Sequence, residues 1–178
     1  MSGNLFSQFL SAMPEPSRVF IRTSSGRSVA YGDVVSLSAK MANVLVCLGL
    51  VPGDRVAVQV EKSAEALILY LACLRAGAVF LPLNTAYTLS ELEYFVGDAE
   101  PKIFVASPAR ESEIGPMTAR LGVHATETLG TNSVVGSLME RARAAANDFS
   151  DVAASPDDLA AILYTSGTTG RSKGAMLS

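Results

Sequence analysis

Hydrophobic positions along this chain switch repeatedly between two periods. Between Asp33 and Gly49 they fall at Val34, Leu37, Met41, Val44 and Leu48, spacings of three and four that share one helix face. Gly49 and Pro52-Gly53 stop that helix. Arg55 to Val60 then reads as a strand, Ser63 to Ala76 as a helix ended by Gly77, and Val79 to Leu83 as a strand. Within the second helix the run from Ala66 to Leu74 is apolar nearly all round, which predicts burial between layers. Thr88-Leu-Ser-Glu91 makes a capping box that opens a helix to about Asp98, and Lys102 to Ala106 is the next strand. Upstream, residues 4 to 13 suit a short amphipathic helix, and Ser24-Ser-Gly26 sits between two short strands as a hairpin turn. Downstream come a helix after Pro108, a short strand near Val123 and a helix over Val134 to Ala146. Asp148 to Asp158 reads as a linker into a last pair of strands, Leu159 to Tyr164 and Gly174 to Ser178. Strands alternating with helices predict an α/β fold, with helices flanking a layered parallel or mixed sheet.

Composition narrows the function classes. The chain has 178 residues, long enough for one real core, with 49% hydrophobic residues and no Trp. A net charge of −3 without a strong basic cluster argues against nucleic acid as partner. Arg141-Ala-Arg143, the densest basic spot, reads as a solvated helix face. The longest charge-free run, Ala76 to Ser90, is fifteen residues and contains Pro82, short of the roughly 18–20 needed to span a bilayer. The N-terminus has no secretory signal pattern, so the cytoplasm is the expected compartment. Cys47 and Cys73 each sit in an apolar helical pattern and are expected as small buried hydrophobes. His124, the only histidine, has no Asp or Cys beside it and reads as a surface or strand-end residue. Asp157-Asp158 reads as a solvated loop, Asn84-Thr-Ala-Tyr87 as a turn and cap, and no spacing suggests a metal site.

The chemistry is concentrated between Tyr164 and Gly174. Gly167, Gly170 and Gly174 alternate with the hydroxyls of Thr165, Ser166, Thr168, Thr169 and Ser172 around Arg171 and Lys173. Glycine allows successive amides to turn into one concavity, hydroxyls add donors, and lysine adds a point charge suited to phosphate. A polyphosphate is the natural ligand. The spacing is neither that of a Walker loop nor that of a dinucleotide fingerprint. Short apolar runs on both sides predict a loop at a hairpin tip rather than at a helix N-terminus.

Tyr164 to Gly174 resembles the phosphate-loop signature of the adenylate-forming enzymes, which include acyl-CoA synthetases. Ser172 stands where that family usually has proline, which removes a φ restraint without removing donors. Arg171-Ser172-Lys173 with Gly174-Ala-Met-Leu-Ser178 is most similar to the malonyl-CoA synthetase branch. Glu61 to Leu67, Leu74 to Tyr87 and Ala99 to Ile103 agree. The likeness runs over most of residues 4 to 178 and is weaker from Glu111 to Ala154.

The resemblance implies that Thr165, Ser166, Gly167, Thr168, Thr169, Gly170, Arg171, Ser172, Lys173 and Gly174 contact the phosphates of ATP. It implies Mg²⁺ carried with the ATP and ligated elsewhere, CoA as co-substrate, and malonate or a similar carboxylate as the acid. On this expectation residues 1–178 are an incomplete N-terminal portion of the large AMP-binding domain, with the C-terminal domain absent and no catalytic residue among them. Such a piece is expected to be inactive alone and prone to self-association. A stand-alone ATP- or phosphate-binding module and a non-functional truncated product are the alternatives.

Overall fold

The computed structural model describes residues 3–132, 134–165 and 172–178. Helix α1 (Leu5–Ser11) begins at Asn4, whose side chain accepts from Phe6 N–H at 2.9 Å and donates to the Leu74 and Val152 carbonyls. Strands β1 (Val19–Arg22) and β2 (Ser28–Ala30) form a small antiparallel hairpin. Helix α2 (Tyr31–Cys47) starts two residues before the expected Asp33, because the Asp33 carboxylate caps it by accepting Ala30 N–H at 3.0 Å. Then come β3 (Arg55–Gln59), α3 (Ala64–Arg75), β4 (Val79–Pro82), α4 (Leu89–Ala99) and β5 (Ile103–Ala106). The expected capping box opens α4: Thr88 Oγ1 accepts from Glu91 N–H at 3.4 Å, and Glu91 accepts from Thr88 N–H at 2.8 Å.

Helix α5 (Glu111–Arg120), strand β6 (Ala125–Thr128) and helix α6 (Ser137–Ala144) follow. Helix α6 starts later than its apolar pattern predicts. Val134 and Val135 donate their N–H groups to the Asn132 side chain, and Gly136 has φ 113, which keeps this stretch out of the helix. The chain closes with β7 (Ala161–Thr165) and β8 (Lys173–Leu177).

Six strands form one sheet in the order β6-β5-β3-β4-β7-β8. All pairs are parallel except β7 with β8, so the sheet is mixed, as the final hairpin predicts. The path reverses at β3: α3 carries it one way to β4, and α4 returns across β3 to β5. Right-handed crossovers in opposite directions place their helices on opposite faces. Val56, Val58, Ile103 and Val105 therefore join α1, α2, α3 and α6 in one core, while Ala57, Phe104 and Ala106 join α4 and α5 in another. Burial on both faces explains why β3 and β5 read as continuous apolar runs. Leu45, Ile68 and Leu69 are almost fully buried, each contributing about 1.5–3 kcal/mol.

One expectation about the cysteines needs correction. Cys73 is buried, but Cys47 is exposed: at the end of α2 it lies beside exposed Val46, while Val44, Leu45 and Leu48 keep to the core. The Arg141 side chain is solvated on α6 as expected, and its Nε also lies 2.9 Å from the buried Glu127 carboxylate. No described helix is long and apolar enough to cross a membrane.

Candidate functional site

The C-terminal ends of the parallel strands all point to one edge of the sheet, the usual place for ligands in α/β folds. Strand β7 ends there at Thr165, and β8 returns from Lys173. Their ladder runs Ala161↔Leu177, Ile162↔Met176, Leu163↔Ala175, Tyr164↔Gly174 and Thr165↔Lys173. The loop is thus closed by a hairpin, and its two border residues, Thr165 and Lys173, are directly paired and exposed. Of the ten residues expected to meet phosphate, Thr165, Ser172, Lys173 and Gly174 are placed here. Ser166, Gly167, Thr168, Thr169, Gly170 and Arg171 lie outside the described residues.

Alternation along the strands puts Ile162, Tyr164 and Gly174 on the α4 side of the sheet and Leu163, Thr165 and Lys173 on the other. Gly174 has a packing reason as well as a chemical one. A Cβ there would lie 2.8 Å from Ile162 Cγ2 and 3.6 Å from the Tyr164 ring. The Tyr164 ring rests on Phe95 with centroids 4.6 Å apart, and Phe95 in turn meets Tyr94 and Tyr87 at 5.3 and 4.8 Å. The Tyr164 hydroxyl donates to the Asp98 carboxylate. Burial, then this bond and charge, with Tyr94 adding to them, push the Tyr164 phenol well above the ordinary range. The Tyr94 hydroxyl donates to the Ser172 carbonyl at 3.0 Å. Tyr94, Phe95 and Asp98 are the residues that a local reading missed. Its only trace of them is that positions 94 and 98 share a helix face.

The neighbouring strand ends carry further polar groups. Gln59 donates to the Asn84 carbonyl at 2.8 Å, and Arg110 donates to Gln59 Oε1 at 2.7 Å and to the Tyr87 carbonyl at 3.1 Å. Asn84 accepts from Ala86 N–H at 2.9 Å, the turn role expected of it. An open groove of about 580 Å³ lies at this edge, between β3 and β4, lined by Val58, Lys62, Phe80, Pro82, Asn84 and Thr85. A second hollow, of about 500 Å³, lies near the N-terminal ends of β4 and β7, away from the loop. His124 is exposed, and its backbone N–H donates to the Lys102 carbonyl at the start of β6. Asp158 accepts from Ser155 N–H at 2.8 Å and serves a turn. Among the described residues, no three His, Cys, Asp or Glu side chains gather as a metal site.

A hairpin that offers hydroxyls and a lysine at the ligand edge of an α/β sheet is the geometry expected of a phosphate loop. The family model for AMP-binding enzymes matches residues 10–178. The chain belongs to that family. It is 32% identical over 161 residues to a long-chain fatty acid–CoA ligase of Mycobacterium tuberculosis, covering 89% of this chain and 31% of that one. It is 31% identical over 167 residues to an oxalate–CoA ligase of Arabidopsis thaliana, covering 91% and 32%. Among solved structures, MatB from Rhodopseudomonas palustris superimposes with a TM-score of 0.94 and 52% identity, over 100% of this chain and 35% of that one. The ATP-bound form of MatB superimposes equally well. The chain therefore spans about a third of the length of the curated relatives it matches. ATP is the nucleotide that this family and its ATP-bound member indicate.

Proposed function

We propose that this chain is the front portion of the AMP-binding domain of an acid–CoA ligase that activates malonate. The observation that carries the reading is the 52% identity to MatB over the whole chain, against 31–32% to the fatty acid and oxalate ligases. It is joined by the likeness of Arg171 to Ser178 to malonyl-CoA synthetases. In this reading residues 1–178 hold the phosphate loop, and the C-terminal domain and catalytic residues lie outside them. The setting is cytoplasmic, without nucleic acid or membrane as partner. The isolated chain tends to self-associate through apolar residues such as Leu163 and Met176, which are 39% and 69% exposed.

The reaction begins with a carboxylate, a poor electrophile because oxide leaves badly and the charge repels nucleophiles. The malonate oxygen attacks the α-phosphorus of ATP, the bond to the β-phosphate oxygen breaks, and pyrophosphate leaves in line. The CoA thiolate then displaces AMP from the mixed anhydride to give malonyl-CoA. Negative charge builds on the departing pyrophosphate, so donors placed there stabilise the transition state. That is the task of Thr165, Ser166, Gly167, Thr168, Thr169, Gly170, Arg171, Ser172, Lys173 and Gly174. Lys173 supplies the cation, and Thr165 beside it a hydroxyl. Mg²⁺ travels with ATP, with its ligands outside residues 1–178.

The test is a chimera in which this chain replaces the matching third of MatB. Malonate-dependent exchange of pyrophosphate into ATP is expected from the chimera and not from the 178-residue chain alone. Lys173→Ala should weaken the phosphate contact by about 1–3 kcal/mol, roughly 5- to 150-fold in affinity. A folded chimera that exchanges with another acid but not with malonate refutes the substrate. Exchange indifferent to Lys173→Ala refutes the loop assignment.

A further inference from the structure

The end of α4 reaches both strands that border the loop. The Tyr164 hydroxyl donates to Asp98 one residue before Thr165, and Tyr94 donates to the Ser172 carbonyl one residue before Lys173. Tyr94 and Asp98 are four residues apart on one helix face, and Phe95 packs against the Tyr164 ring. Among the described residues, the other restraint at this end is the packing of Ile162 and Tyr164 on the core under α4. Strand β7 is paired with β4 at a single position, Phe80↔Ala161, at the end of β7 remote from the loop. Thr165↔Lys173 is the last rung of the ladder, where a two-stranded ribbon frays most readily. The Tyr94 hydroxyl fixes the peptide plane between Ser172 and Lys173, and that plane sets the direction in which the Lys173 side chain leaves the backbone.

We propose that Tyr94 and Asp98 are positioning residues for the phosphate loop, gripping its two strands from α4 so that Thr165 and Lys173 meet the phosphates at a fixed spacing and direction. The inference rests on the phosphate-binding role given to the loop above. The Tyr94 hydroxyl and the Asp98 carboxylate act through the backbone of Ser172 and the side chain of Tyr164.

Hydrogen exchange and pyrophosphate titration of the MatB chimera carrying this chain test this with Tyr94→Phe, Asp98→Ala and Asp98→Asn. Tyr94→Phe removes one oxygen and keeps the ring packing, while Asp98→Asn keeps an acceptor for Tyr164. Amides from Ser172 to Gly174 should exchange about fivefold faster in Tyr94→Phe and Asp98→Ala, the loss expected for one hydrogen bond, with Asp98→Asn close to wild type. The dissociation constant for inorganic pyrophosphate should rise about fivefold in the same two variants, with Tm lowered by only about 2–4 °C. Wild-type binding that Tyr94→Phe and Asp98→Ala leave intact overturns the positioning role while the loop assignment stands. An unsubstituted chimera that does not bind pyrophosphate at all overturns the loop assignment for this chain, and the positioning role with it.

Discussion

Arg75 is buried at the C-terminal end of α3, and its replacement should be the most damaging single polar change outside the site. Its Nε donates to Asp151 at 2.6 Å, Nη1 to the Val35 carbonyl at 2.8 Å and Ser38 Oγ at 3.0 Å, and Nη2 to the Phe149 carbonyl at 3.1 Å. The guanidinium also lies 4.5 Å from the Phe6 ring centroid. The Arg75 side chain is 5% exposed and Asp151 17%, so water cannot replace these contacts freely. Arg75→Met keeps most of the volume but takes the donor from the Asp151 carboxylate, the Phe149 carbonyl and Ser38 Oγ, while the Val35 carbonyl keeps the Ser38 hydroxyl. Breaking a buried pair from one side costs about 3–5 kcal/mol, so about 4 kcal/mol is expected. At this chain length that lowers Tm by about 8–16 °C. Asp151→Asn retains an acceptor and should cost only about 1–2 kcal/mol. Urea denaturation followed by circular dichroism measures both. A loss below about 1 kcal/mol for Arg75→Met, or an equal loss for the two variants, would refute the claim that Arg75 ties α2, α3 and the linker together.

Two further outcomes follow from titratable groups. Burial raises the Tyr70 phenol, and burial with Asp98 raises that of Tyr164, so two of the five tyrosines should ionise later than the ordinary value of about 10 in an ultraviolet titration. Because the folded-state value of Tyr164 lies above the unfolded one, its stabilisation is complete below pH 10 and is lost as pH rises through the folded value. Tyr164→Phe should remove one late transition; five tyrosines ionising together would contradict the burial. A disulfide-exchange reagent should label Cys47 at once and Cys73 only after unfolding, since burial alone pushes the Cys73 thiol far up. Immediate labelling of both would contradict it.

Much of the fold was legible because its signals are local. The box Thr88–Glu91, the apolar stripe of α2 and the alternation of strands with helices lie within a few residues of each other in sequence. Even the antiparallel return of β8 could be read from two short apolar runs around a Gly/Ser/Thr loop. The apolar Val134 and Val135 make the sequence pattern of α6 longer than the helix itself, because the Asn132 side chain and the positive φ of Gly136 hold them outside it. Cys47 is exposed although apolar residues surround it in sequence, because the core takes up Leu45 and Leu48 and leaves the face of Val46 and Cys47 to solvent. At the site, the proposed phosphate role is read from the loop's composition, whereas its anchorage is not legible there. Asp98 meets Tyr164 across 66 positions and Tyr94 meets Ser172 across 78, separations that only the folded sheet brings together.

The sheet divides the interior so completely that sequence neighbours serve different ends. Val58 belongs to the large core under α2 and α3, and Ala57 to the small one under α4 and α5 that also receives Tyr164. Substitutions on opposite faces share few partners, so their effects on stability should simply add, whereas changes around Phe95 will depend on one another. The large core is consequently the place to accumulate stabilising replacements, because it can be rebuilt residue by residue without retuning the ligand edge.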